Sequence, residues 1–539
     1  MSKGKLFVLG ALLLAAGVAT LPALAARPNE EPEVIVEDHH DFSRPLRDIE
    51  PPNKQTNPPR EIPLGRPHPG PGAIDQVDPV VQKTPTASSP AALSGSGFDG
   101  VGVGFTGPNG TFTVDAAPPD TNGAVGDTQY VQWVNESFAV FDKTTGVALK
   151  GPVPGGALWQ GFGGGCETNN DGDPIVQYDK AAHRWIFTQF SVSTTPYLQC
   201  VAVSTTSDAT GSYARYAFSM PSFPDYPKLG VWPDAYYITF NMFNGSSFAG
   251  PRVCALERDK MLAGFAARAV CFQLSTSFAS LLPSDLDGAT APPAGAPNYL
   301  LSLGTNALRF WRFHVDWTNP ASSTLTATPA SIAVAAYTRA CGGGACVPQR
   351  GTKNKLDSLG DRLMYRLAYR NFGTYETLVV NHSVAAANSS SGTTGVRWYE
   401  LRNAATQTLA SANPVVYQQG TYSPDSNYRW MASAAMDKAG NVAVGYSVSG
   451  NNIYPAIRYA GREASEPSST LGKLGPETSI IEGAGAQLQP LNRWGDYSAI
   501  ALDPSDDCTF WYTNEYLKST GKWNWSTRIA SFKFASCIP

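Results

Sequence analysis

Within five residues, Arg493-Trp494-Gly495-Asp496-Tyr497 offers a guanidinium, an indole face, a carboxylate and a phenol. Such a set can hold and cut a sugar. Aromatic faces stack on a pyranose ring, Arg forks a carboxylate, and paired carboxyl groups do acid–base work. Polar entries of this kind recur along the chain: Asp120 before TNGAVGDTQYVQWVN, Asp173 before PIVQYDKAAHRWIFTQF, Asp225 before YPKLGVWPDAYYITFN, Asp361 before RLMYRLAYRNFGTYETLVVNH, and Arg429-Trp430 before MASAAMDKAGNVAVGYS. If equivalent entries converge, Asp173, Asp361, Asp496 and Tyr497 are the catalytic candidates. Asp120, Asp225, Arg362, Arg429, Trp430, Arg493 and Trp494 would then line the substrate site. The competing reading is structural: Asp at a strand start caps backbone N–H groups, and a neighbouring Arg balances its buried charge.

The elements that carry these entries are β-hairpins. After Tyr497 comes an alternating run at 498–502, an Asp/Pro turn at 503–507 and an aromatic return strand at 508–512. Asp127, Asp179, Asp437 and Asp503 fall at the corresponding turns and read as turn formers. The pattern divides the chain into seven units, about 116–152, 171–219, 223–275, 296–337, 356–420, 424–480 and 490–537, the fourth without an acidic entry. A β-helix wants a shorter repeat, and β-sandwiches need no polar entry in every unit. The expected fold class is therefore all-β, a single β-propeller, seven-bladed, spanning 97–539. Its closing strand at 527–535 is expected to pair with early residues around 105–114.

Composition sets the remaining limits. The net charge of −4 and 16% charged residues, with no basic run, argue against nucleic acid as a partner. Lys3 and Lys5, the apolar run that follows, and Ala23-Leu24-Ala25 read as a signal peptide over 1–25, so export to the periplasm or beyond is expected, with no membrane span left after cleavage. Residues 26–96 are Pro-rich and charged, and read as a disordered linker or pro-segment. The even set of 8 cysteines in an exported chain favours disulfides, paired in sequence order: Cys166–Cys200, Cys254–Cys271, Cys341–Cys346 and Cys508–Cys537. No cofactor is expected. The carboxylates of 503–507 are the one place that suggests a structural calcium, although a solvated turn fits them better.

Segments such as ASAAMDKAGNVAVGYS and SAIALDPSDDCTFWYT resemble the strand–turn–strand units of the sialidase-like group of secreted bacterial β-propellers. The resemblance lies in architecture and turn style, since the chain carries no FRIP-type arginine motif and no SxDxGxxW turn. It implies Arg362, Arg429 and Arg493 as a carboxylate-binding triad, Tyr497 as nucleophile, and Asp120 or Asp173 as the acid. The function expected is that of an exported carbohydrate-active propeller, a glycoside hydrolase or polysaccharide lyase acting on a poly- or oligosaccharide. The alternative is a non-catalytic extracellular propeller that binds glycan or peptide, or is purely structural.

Overall fold

The computed structural model describes residues 1, 31–51, 58–62, 65, 75–88, 90–95, 97–387, 392–404 and 406–538. The expected signal peptide, Met1 apart, lies outside the described residues. Seven innermost strands are labelled here: β1 (Asn122–Val125), β2 (Ile175–Asp179), β3 (Phe223–Val231), β4 (Leu282–Asp287), β5 (Met364–Asn371), β6 (Tyr428–Met436) and β7 (Ala499–Leu502). Among the described residues each packs against the next, and β7 packs against β1, so the ring closes. From each, antiparallel strands step outwards, as in β1, Gln129–Val134, Ser137–Asp142 and Ala148–Pro154. This radial closure makes the chain a β-propeller.

Sheet faces pack on one another through aromatic side chains, which explains their abundance. Nine tryptophans, among them Trp133, Trp185, Trp311, Trp398 and Trp525, are essentially fully buried between sheets. The eight cysteines form four disulfides: Cys166–Cys200, Cys254–Cys271, Cys341–Cys346 and Cys508–Cys537. Four disulfides suit an extracellular protein. Among the described residues no helix is long and apolar enough to cross a membrane.

Three expectations need correction. The fourth innermost strand starts at Leu282, ahead of the unit expected from 296. Its LPSDLD sequence does not alternate, and it divides its pairing: Leu282 and Pro283 pair antiparallel with Asn298–Gly304, while 284–287 pair parallel with β5, merging two sheets. The closing strand Trp525–Lys533 takes Ala92–Leu93 and Phe98–Asp99 as partners, and 105–114 instead contains a small hairpin of its own.

The third correction concerns 26–96. Its described residues are a belt laid along the propeller. Glu33–Val36 adds to the outer edge of the third sheet and His39–Phe42 to that of the second, while Val81–Gln82 pairs with Val415–Tyr422. The belt is riveted by ion pairs, Arg215–Asp41 at 2.6 Å, Arg252–Glu33 at 2.7 Å and the buried Arg397–Asp78 at 2.6 Å. A segment this poor in apolar residues builds no core of its own, but it can borrow sheet edges that would otherwise stand unpaired.

Candidate active site at the channel mouth

At the mouth of the ring the backbone repeats an uncommon feature. Asp120, Asp173, Tyr226, Ser280, Met431 and Asp496 all have left-handed φ values, between 46° and 68°. Asp120, Asp173 and Ser280 stand two residues ahead of their strands, while Tyr226 and Met431 sit at register shifts inside β3 and β6. Left-handed backbone costs an ordinary residue about 1–2 kcal/mol, least for Asp and Asn. Strain repeated around a ring is a mark of a built site.

These entries bring Asp120, Asp173, Asp225, Asp496, Arg362, Arg493 and Tyr497 into one buried cluster, each at most 5% exposed. Arg493 Nη2 donates to Asp496 Oδ2 at 2.7 Å. Arg362 forks the neighbouring carboxylate of Asp361 at 2.9 and 3.1 Å and lies 4.4 Å from the Tyr226 ring centroid. Asp173 Oδ2 accepts the backbone N–H of Tyr226 at 3.1 Å. Lys228, which sequence reasoning missed, completes the cluster. Its ammonium lies 3.4 Å from the Tyr226 ring centroid and 4.0 Å from that of Tyr497, and it donates to Pro227 O at 2.7 Å. The signal was present: a lone lysine inside the otherwise uncharged run YPKLGVW.

Crowding like charges in a dry place displaces protons. Burial, then the charges of Asp496 and Asp173, push the Asp120 carboxyl well up. Burial pushes Asp173 up to about 6 against the pull of Lys228. Asp225 is raised well above its ordinary value by burial and by Asp173. Burial lowers Lys228 to about 8, opposed by the surrounding aspartates. Among the described residues neither oxygen of Asp120 has a hydrogen-bonding partner, nor do Asp496 Oδ1, Arg493 Nε or Arg362 Nη1. Buried polar atoms are nearly always satisfied, so a concentration of exceptions calls for a ligand or a function. Glu515 adds another raised carboxyl behind the cluster, accepting from Gly495 N at 2.6 Å.

Not every predicted residue arrives. Arg429 is held between Asp425 at 2.8 Å and Glu477 at 2.9 Å, away from the cluster, so the three arginines do not form a triad. Trp430 and Trp494 pack against each other at 6.0 Å and are 0% and 1% exposed, so neither offers a face to a sugar. The 503–507 turn is committed to protein cations, Asp503 to Lys143, Asp506 to Lys533 and Asp507 to Arg370. Among the described residues no group of three or more side chains could hold a metal.

A strap from the N-terminal belt covers the mouth. Arg60–Glu61 pairs parallel with Ala116–Ala117, and Ile62, 4% exposed, turns inwards. Arg493 Nη1 donates to Ile62 O at 2.8 Å, and Gly65 N donates to Asp225 Oδ2 at 3.0 Å. Only glycine fits at 65: a Cβ there would stand 2.4 Å from Asp225 Oδ2 and 2.5 Å from the Phe243 ring. Gly65→Ala is expected to lift the strap, read as faster exchange of the Arg60, Glu61 and Ile62 amides with the exchange of β3 unchanged. An unaltered strap would refute the close seat. Beside the strap lies an open cavity of about 590 Å³, walled by Glu61, Ile62, Arg493 and the glycines of the Cys341–Cys346 loop. That volume is in the range of small-ligand sites.

No protein-family model matches the chain, and no curated protein does. Among solved structures, an α-L-arabinofuranosidase from Fusarium graminearum is 8% identical with a TM-score of 0.36, over 83% of this chain and 100% of that one. A subtype N10 neuraminidase-like protein of little yellow-shouldered bat origin is 8% identical with a TM-score of 0.33, over 64% of this chain and 95% of that one. An exo-β-1,3-galactanase from Phanerochaete chrysosporium is 10% identical with a TM-score of 0.27, over 68% and 80%. At these identities and TM-scores no residue role and no activity carries over to this chain.

Proposed function

We propose that this protein is an exported glycoside hydrolase whose acid–base groups are the channel-mouth carboxylates. One observation carries the reading: Asp120 is a raised carboxyl whose two oxygens have no partner among the described residues, set beside Asp496, which is ion-paired to Arg493. Glycoside hydrolysis uses two carboxyl groups, one of them kept protonated by its surroundings. In this reading Asp120 protonates the glycosidic oxygen as the C–O bond breaks. Water supplies the new oxygen at the anomeric carbon, and Asp496 takes up its proton. Asp173 tunes both, and Arg362 holds Asp361 at the edge of the site. The strap must leave before a saccharide can enter.

A second reading is favoured by two contacts. Asp173 caps Tyr226 N and Asp225 caps Gly65 N, as carboxylates that only lock the ring would. The test is a panel of neutral and acidic polysaccharides incubated with the full chain and with Gly65→Ala, products being read by mass spectrometry. At least one glycan should be cut, and Asp496→Asn, still folded, should abolish the cut. No product from either protein, or full activity in Asp496→Asn, would leave the locking role.

A further inference from the structure

We infer that the strap formed by residues 58–62 and Gly65 is an inhibitory gate, which keeps the channel-mouth cluster latent by occupying it with main-chain groups; this rests on the hydrolase reading for what the gate protects. The strap offers the cluster a carbonyl and an N–H: Ile62 O lies on Arg493 and Gly65 N on Asp225. Those are an acceptor for the guanidinium and a donor for the carboxylate, the same pair of groups that a sugar hydroxyl presents. The strap therefore sits as a stand-in for a polyhydroxylated ligand, on two residues of the cluster itself.

Its anchorage is slight compared with the sheets around it. The parallel ladder is two residues long, held by Arg60 N to Asp115 O at 2.9 Å and Ile62 N to Ala117 O at 2.8 Å. The ion pair Arg60–Glu136 at 2.5 Å fastens it from outside, where Arg60 is half exposed. Ile62 is its apolar peg, in a place where the rest of the belt has sheet edges to pair with. Such an element opens locally at far lower cost than a propeller sheet. The exposed Arg60–Glu61 bond also gives a trypsin-like protease a place to cut.

Lys228 reports the state of the gate without any substrate, because it lies 1% exposed within the cluster. Full-length protein is treated with an amine-acylating reagent, and Lys228 labelling is followed by peptide mass spectrometry in wild type, Arg60→Ala, Glu136→Gln and Ile62→Ser. Removing the charged anchor from either side should speed Lys228 labelling about tenfold, the worth of a charge-assisted contact. Ile62→Ser should do more, and the thermal midpoint should stay at the wild-type value. Lys228 protection that persists while strap amides exchange freely would overturn the gate. So would a collapse of the midpoint in both Arg60→Ala and Glu136→Gln, which would make the strap part of the fold. Fast labelling in a protein that cuts no glycan would sustain the gate and sink the hydrolase reading alone.

Discussion

Asp120→Asn is expected to abolish hydrolysis while leaving the protein as stable as before, or more so. Asn has the shape of Asp without its charge, and Asp120 has no hydrogen-bonding partner among the described residues to lose. What it costs is a proton: burial, then the charges of Asp496 and Asp173, push its carboxyl well up, so folding must hold it neutral. Asn needs no proton to stay neutral in that place, so the thermal midpoint should hold or rise by a degree or two, about 1 kcal/mol, as active-site neutralisations do. Loss of a general acid lowers the rate by about 10²–10⁴-fold. A folded Asp120→Asn that keeps its rate would remove Asp120 from the chemistry. A midpoint that falls sharply would assign Asp120 to the ring lock.

Asp173 gives the cluster a pH signature. Its folded value of about 6 stands above that of the unfolded chain, near 3.9. The folded state thus binds the proton more tightly. The stability this contributes is full below about pH 4 and is lost as the pH rises through about 6. Denaturation midpoints should slope downwards across that window, and Asp173→Asn should flatten the slope.

The largest loss of stability is expected deeper in the channel, for Arg366→Met. Arg366 Nε donates to Asp285 Oδ2 at 2.5 Å and Nη1 to Asp287 Oδ2 at 2.8 Å, all three residues being buried. Burial alone would raise Asp287, yet Arg366 and Lys180 together hold it well below the ordinary carboxylate range. The network pins β4 to β5 along their parallel join. Methionine fills the volume and leaves Asp287 to Lys180, and Asp285 to the neutral donors Gln177 Nε2 and Val231 N, two buried carboxylates without their guanidinium, a loss of about 3–5 kcal/mol. Urea titration should show the midpoint fall, and adding Asp285→Asn and Asp287→Asn should recover much of it. A single variant as stable as wild type would show that these charges do not hold the join.

The hairpins were legible because strand alternation and Asp-rich turns are local properties. ALDPSDDCTFWY reads as strand, turn and return strand without any knowledge of its neighbours. Three of the acidic entries, Asp120, Asp173 and Asp496, were legible for a related reason, since Asp tolerates the left-handed backbone found at these positions. Arg429 was misplaced by counting. The left-handed residue of the sixth sheet is Met431, which stands where Asp496 stands in the seventh, so Arg429 lies two residues upstream and turns to Asp425 and Glu477. In a strand a small slip in register decides which surface a side chain meets.

Local sequence therefore determined that this chain is all-β, where its strands turn, and which residue types open them. Tertiary structure alone decided which openings meet, that Lys228 lies sandwiched between Tyr226 and Tyr497, and that residues near 62 cover Arg493. The reason is distance along the chain. Ile62 and Arg493 are 431 residues apart, and Asp173 and Tyr226 are 53 apart. No periodicity records such a meeting, which exists only once the ring has closed.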